Sequence, residues 1–107
     1  MGNVYLIHFD QKLSGRAQHY VGYTRRNVEE RLDEHAHTTW NPNDGVHGPG
    51  AVIMGAVNAN GIAWQLAQVY RRVSRKFERG LKNCKNASRY CPICNPDAKP
   101  YHPRKRR

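Results

Sequence analysis

Long apolar runs are missing from this chain of 107 residues, and no stretch approaches the roughly 20 consecutive apolar residues that span a bilayer. The basic stretch also lacks a lipid-facing stripe, so no membrane role is expected. A signal peptide is absent too: the N-terminus has no basic region followed by an apolar core and a small-residue cleavage site. Cysteine is scarce and odd in number, with only Cys84, Cys91 and Cys94, which excludes a fully paired disulfide framework of a secreted domain. Reduced thiols and an intracellular, cytoplasmic location are expected. Acid is short in one region: residues 71 to 107 hold two Asp/Glu against 13 Lys/Arg, whereas residues 1 to 70 hold six against five. The formal charge of +10 is therefore concentrated toward the C-terminus. A merely solvated surface mixes the two signs, so this segregation points to a polyanion, with nucleic acid first among them.

The length fits one domain with one modest core. Val4 to Phe9 is an almost continuous apolar run, as expected for a strand covered on both faces. Turn residues at 10–15 lead to a second strand at Gln18–Thr24, and an antiparallel hairpin is the simplest connection. Asn27 can cap a helix running to about His37, with Val28, Leu32 and Ala36 as its packed stripe. At 100° per residue Arg31 and His35 lie beside that stripe and can face a cleft at the helix–sheet boundary. Residues 38–50, rich in Asn, Gly and Pro around Trp40, read as a loop. Trp40 fits either a base-stacking role or that of an anchor for its own loop. Ala51–Ala59 fits a short helix, Ile62–Tyr70 a third strand, and Ser74 caps a helix to about Asn86 on which Phe77, Leu81 and Cys84 align. The fold class is α+β, a small three-stranded antiparallel sheet flanked by helices in the order β-β-α-α-β-α. Residues 1–95 make the domain and residues 96–107 a basic, flexible tail.

Several segments taken in order resemble the GIY-YIG nuclease superfamily, which includes the nuclease domain of the bacterial excision-repair incision subunit and certain homing endonucleases. Asn3-Val4-Tyr5 stands at the first motif and Tyr20-Val21-Gly22 at the second. Arg31-Leu32 with His35 is similar to the helix motif, and Phe77-Glu78-Arg79-Gly80-Leu81-Lys82 resembles the metal-binding helix. Arg89-Tyr90-Cys91-Pro92-Ile93-Cys94 is similar to a closing sequence of small stand-alone members. The resemblance implies metal-dependent hydrolysis of DNA phosphodiesters with limited sequence specificity, using one Mg²⁺ or Mn²⁺ held by Glu78. Tyr5 or Tyr20 would serve as base, with the choice between them open, because a phenol of ordinary pKa about 10 needs help to lose its proton near neutrality. Arg31 would brace the phosphoryl oxygens, and His35 would orient or deprotonate a tyrosine or water. Tyr23, Arg25, Arg26, Lys82 and Lys85 are candidates for contact with the DNA backbone. The catalytic core fills the chain, which leaves targeting to a protein partner.

A second reading is a basic nucleic-acid-binding module without catalysis, stabilised by zinc. Cys91 and Cys94 have the C-x2-C spacing of a zinc half-site, and Cys84 with His102 could complete four ligands. The simpler alternative is two reduced thiols in a turn. Tyr5 and Tyr20 could likewise be ordinary strand aromatics, and Glu78 a plain helix partner of Lys82.

Overall fold

The apolar run at residues 4–9 becomes the middle of the sheet. The structure, a computed structural model, describes residues 1–15, 17–83 and 87–103. Its elements are β1 (Gly2–Leu13), β2 (Ala17–Thr24), α1 (Val28–Ala36), β3 (Thr39–Asn41), β4 (Gly45–His47), α2 (Val52–Ala59), β5 (Trp64–Val73) and α3 (Arg75–Asn83), followed by a 3-10 turn at Ala87–Tyr90. The main sheet has the order β2-β1-β5, antiparallel throughout, as the α+β reading expects.

Because side chains alternate along β1, its two faces feed two apolar layers. Tyr5, Ile7 and Phe9 pack with Val28, Met54, Val57 and Ile62. Val4 and Leu6 pack with Val21, Leu81, Cys91 and Tyr101. Both layers are needed to cover a strand without a polar face.

The hairpin turns at Ser14 and Gly15, both at positive φ, and its register pairs Tyr5 with Gly22, Ile7 with Tyr20 and His8 with His19. In α1, Asn27 caps by accepting from the Glu29 N–H. Its inward stripe is Val28, Leu32 and His35, while Ala36 is exposed. Seven residues are close to two turns, so His35 returns nearer to the direction of Val28 than Ala36 does.

Three elements differ from the sequence reading. The loop at residues 38–50 contains a two-stranded hairpin, β3 with β4, that packs on α2. Its strands are three residues long, and Trp40, paired with Val46, remains exposed. Ile62 enters the core ahead of β5, which runs on to Val73. Tyr101, read as part of the basic tail, is buried against Phe77 and Tyr90, and its N–H donates to Tyr70 Oη at 3.0 Å. Cys84, Lys85, Asn86 and the closing residues 104–107 lie outside the described residues. Among the described residues, no helix is long and apolar enough to cross a membrane.

Asn58 fastens α2 to its neighbours. Its Nδ2 donates to the carbonyls of His35 and Thr38 at 2.8 and 2.7 Å, and its Oδ1 accepts from Trp64 Nε1 at 2.9 Å. One amide thus ties the end of α1, the start of the inserted hairpin and β5.

Candidate functional site

Three rings from three elements meet on the α1 side of the sheet. The ring centroids of Tyr5 and Tyr20 lie 6.2 Å apart, those of Tyr5 and His35 5.8 Å, and those of Tyr20 and His35 5.6 Å. The cross-strand register places the phenols, since Ile7 faces Tyr20 and Tyr5 stands two residues along on the same face. Gly22 is required opposite Tyr5: a Cβ there would fall on Cζ and Oη of the phenol and lie 2.6 Å from Cε2.

His35 Nε2 and Tyr5 Oη are 2.7 Å apart, and the Ala51 N–H donates to His35 Nδ1 at 3.2 Å. A neutral imidazole has one N–H, so the bond accepted at Nδ1 assigns the proton to Nε2, which donates to the phenol oxygen. Burial, followed by the Arg31 charge, pushes His35 down to about 4. The ring is therefore neutral at physiological pH. Burial raises the Tyr5 pKa well above its ordinary value, Tyr20 and Glu78 add to the rise, and Arg31 opposes it. Tyr5 accordingly keeps its proton near neutrality.

The two phenols differ in access. Tyr5 is fully buried. Tyr20 lines a cleft of about 620 Å³ with Gln18, His19, Lys82, Ala87 and Ser88. Lys82 Nζ is 5.7 Å from the centroid of the Tyr20 ring and 3.2 Å from Glu78 Oε2. The Glu78 side chain is only 12% exposed, while that of Lys82 is 48% exposed, so the ammonium can swing away from the carboxylate.

Arg31 is held from two sides, its Nη1 donating to Glu34 Oε1 at 2.9 Å and to the Pro49 carbonyl at 2.8 Å. Glu34 also takes Arg26 at 2.6 Å, and the two guanidinium groups depress its carboxyl to about 2. The Pro49 carbonyl and the Ala51 N–H thus act as a backbone clamp on Arg31 and His35, and the Gly50 N–H between them donates to Thr38 Oγ1 at 2.7 Å. Gly50 lacks a side chain for a spatial reason, because a Cβ there would lie 2.5 Å from Thr38 Oγ1 and 2.8 Å from His35 Nδ1. Next to Arg31, a second cleft of about 460 Å³ is lined by Tyr23, Thr24, Arg25, Arg26 and Arg75. The Arg75 guanidinium lies 4.9 Å from the Tyr23 ring centroid, a cation–π contact.

Distances bring Tyr5, Tyr20 and His35 together; the Arg31 charge acts on the Tyr5 hydroxyl, whereas Glu78 contributes least to the Tyr5 shift and is linked to Tyr20 through Lys82. Tyr23, Arg25 and Arg26 line the neighbouring cleft, and Lys82 the first one. Lys85 lies outside the described residues. Sequence reasoning missed Arg75 and the Pro49–Ala51 clamp. A glycine between a proline and a helix start signals a turn but not what the turn holds.

A second cluster lies on the opposite face of the hairpin. His8, His19, Cys91 and Cys94 bring their donor atoms within 4.8 Å of one another, a set that could hold a metal ion. Burial, then His8, pushes His19 down to about 4, and partial loss of hydration, then the neighbouring Cys91, raises the thiol of the largely exposed Cys94. The sequence reading assigned the partners of Cys91 and Cys94 differently. Cys84 lies outside the described residues, and His102 is exposed and not part of the cluster. The histidines come instead from facing positions of the hairpin.

The neutral state of His35 has a measurable consequence. Its folded-state pKa lies below the ordinary value of 6.5, so between 6.5 and about 4 the unfolded chain binds a proton that the native ring refuses. The stability linked to this ring is fully present above pH 6.5 and is lost as the pH falls through about 4. An NMR titration of labelled imidazole carbons, with His35 assigned through His35→Gln, should give a midpoint near 4. A midpoint near the ordinary value would contradict the burial and tautomer described above.

Comparison with protein-family models, with curated proteins and with solved structures finds no match to this chain.

Proposed function

We propose that this chain is a divalent-metal-dependent DNA endonuclease of the GIY-YIG kind, hydrolysing phosphodiesters with limited sequence specificity. The observation that carries this reading is the Tyr5–His35 hydrogen bond, which ties the first strand to the first helix beside the Tyr20 ring. An ordinary core tyrosine needs one satisfied hydroxyl. It does not need a second phenol packed against it and a clamped guanidinium acting on it.

In this reading Tyr20, which lines the cleft, is the base: its own proton first passes to solvent, and the phenolate that remains takes the proton of the attacking water. Tyr5 and His35 are positioning residues that fix the packing behind Tyr20. Arg31, already held by Glu34 and Pro49, presents its remaining N–H groups to phosphoryl oxygens as charge develops there. Arg25, Arg26 and Arg75 give the neighbouring cleft a cationic lining suited to the DNA backbone.

The donor chemistry suits Mg²⁺ or Mn²⁺ at Glu78: a shielded carboxylate is a hard oxygen ligand, and Mg²⁺ is commonly held by one or two carboxylates plus water and phosphate. Glu78 would hold the ion, which supplies Lewis-acid stabilisation to the phosphate when bound. Lys82 occupies Glu78 Oε2, so the site binds the ion weakly until a phosphate draws the ammonium away.

The rival is a binding module without catalysis, favoured by the Glu78–Lys82 ion pair, which leaves the carboxylate with an ordinary helix partner. The two are separated on an end-labelled duplex with Mg²⁺. Glu78→Ala and Arg31→Ala should each lower cutting by about 10²-fold or more while affinity changes by less than about tenfold. Cutting unchanged in both variants would remove the proposed centre.

A further inference from the structure

We infer that His8 Nδ1, His19 Nε2, Cys91 Sγ and Cys94 Sγ form a closed tetrahedral site for one thiophilic divalent cation, zinc by its chemistry, which pins the C-terminal segment to the β1–β2 hairpin. The spacing of the donors carries the inference. With Zn–N of about 2.0–2.1 Å and Zn–S of about 2.3 Å, a regular tetrahedron sets nitrogens about 3.4 Å apart and nitrogen about 3.6 Å from sulfur. The nitrogens of His8 and His19 lie 3.4 Å apart. His8 Nδ1 lies 3.6 Å from Cys91 Sγ and 3.4 Å from Cys94 Sγ, and His19 Nε2 lies 3.3 Å from Cys94 Sγ. Four of the six edges are therefore known, and each is within about 0.3 Å of the zinc value.

The elements explain why the set is preformed. His8 and His19 face each other across the hairpin, so the sheet register fixes two ligands. Cys91 and Cys94 sit on one turn, closed by the Asn95 N–H donating to the Cys91 carbonyl at 3.0 Å, which fixes the other two. Two thiolates with two imidazoles select zinc over Mg²⁺, which prefers oxygen. Four protein donors also leave no open position for a substrate, so the ion is structural.

The segment it anchors needs fastening. From Asn95 to His102 only Ala98 and Tyr101 are not exposed, and Tyr101 is the one residue of that stretch in a core layer. Ala87 and Ser88, at the start of the segment, line the cleft beside His19 and Tyr20. The ion therefore also sets one wall of that cleft.

Metal content and melting of the full-length protein test the site without reference to any catalytic activity. Protein purified without added chelator should carry about one zinc per chain, and stripping it should lower Tm by roughly 10 °C or more, reversibly on adding Zn²⁺. Co²⁺ should load in its place with the intense visible bands of a tetrahedral thiolate site. Cys91→Ser with Cys94→Ser should abolish both signals. Cys84→Ser and His102→Ala should keep them. Where loss of a ligand merely unfolds the chain, His19→Cys decides, because it should retain the Co²⁺ site with stronger thiolate charge-transfer absorption. Protein free of metal that neither takes up Co²⁺ nor melts higher with Zn²⁺ would overturn the inference, as would metal retained by the double cysteine variant.

Discussion

Tyr20→Phe is expected to reduce DNA nicking by about 10²–10⁴-fold, the range that a positioned general base contributes. The substitution deletes one oxygen and leaves the ring, so its packing beside Tyr5 and His35 should persist and the fold should stay intact. Tyr5→Phe removes the partner of His35 Nε2 instead, and the loss of one buried hydrogen bond is worth on the order of 1–3 kcal/mol. Its effect on nicking should be about tenfold, with a measurable fall in Tm. The ordering is the informative part. It follows from access, since Tyr20 lines the cleft while Tyr5 lies beneath Gly22. Single-turnover nicking by both variants, with duplex affinity measured alongside, checks it. A larger catalytic loss from Tyr5→Phe would reverse the assignment of the two phenols.

Gly22→Ala should be the most damaging single methyl addition in the sheet. The new Cβ would overlap the far end of the Tyr5 ring, which cannot swing aside, because the side chain is fully buried and its hydroxyl is engaged by His35. Overpacking of this kind typically costs 1–3 kcal/mol, and the upper end is expected here, lowering Tm by roughly 10–20 °C in a domain of this size. Combining the substitution with Tyr5→Leu should recover part of the loss, since the shorter side chain vacates the contested space. That coupling should exceed about 0.5 kcal/mol, as for residues in direct contact. Thermal melts of the two single variants and the double variant provide the test. A Gly22→Ala protein as stable as the parent would show that the phenol does not pass under this glycine.

Much of the architecture can be read from the chain, and the reasons are local. The apolar run at residues 4–9 admits only a strand covered twice, and the structure covers it with the helices α1 and α2 on one face and with α3 and Cys91 on the other. Helical geometry alone places Arg31 and His35 on one side of α1, but only Arg31 lines a described cleft, while His35 is fully buried against Tyr5. The inserted hairpin at residues 39–47 could not be read, because three-residue strands with exposed side chains carry no alternation to detect. The burial of Tyr101 was equally hidden, since one aromatic among prolines and basic residues has no periodicity, and its partners Phe77 and Tyr90 come from other elements.

The metal cluster lies between these cases. Cys91 and Cys94 announce a half-site by spacing, but His8 and His19 become partners only when the hairpin register is known. Counting out from the turn does not pair them: the turn closes around Gly15, where Leu13 faces Ala17, and a register shift between His8 and Leu13 is what brings His8 opposite His19. The other two ligands lie across the sheet, far in sequence from the cysteines. Antiparallel pairing sets directly opposite side chains about 4.5–5.5 Å apart at Cβ, however far apart they stand in sequence.

The most direct measurement is incubation of supercoiled plasmid with excess purified protein in Mg²⁺, in Mn²⁺ and in chelator, with DNA binding followed at the same concentrations. Nicked circles that appear only with the metals, and that a DNA ligase can seal, are expected if the centre at Tyr20, Arg31 and Glu78 hydrolyses phosphodiesters. Plasmid that is fully bound yet stays supercoiled in both metals would contradict it.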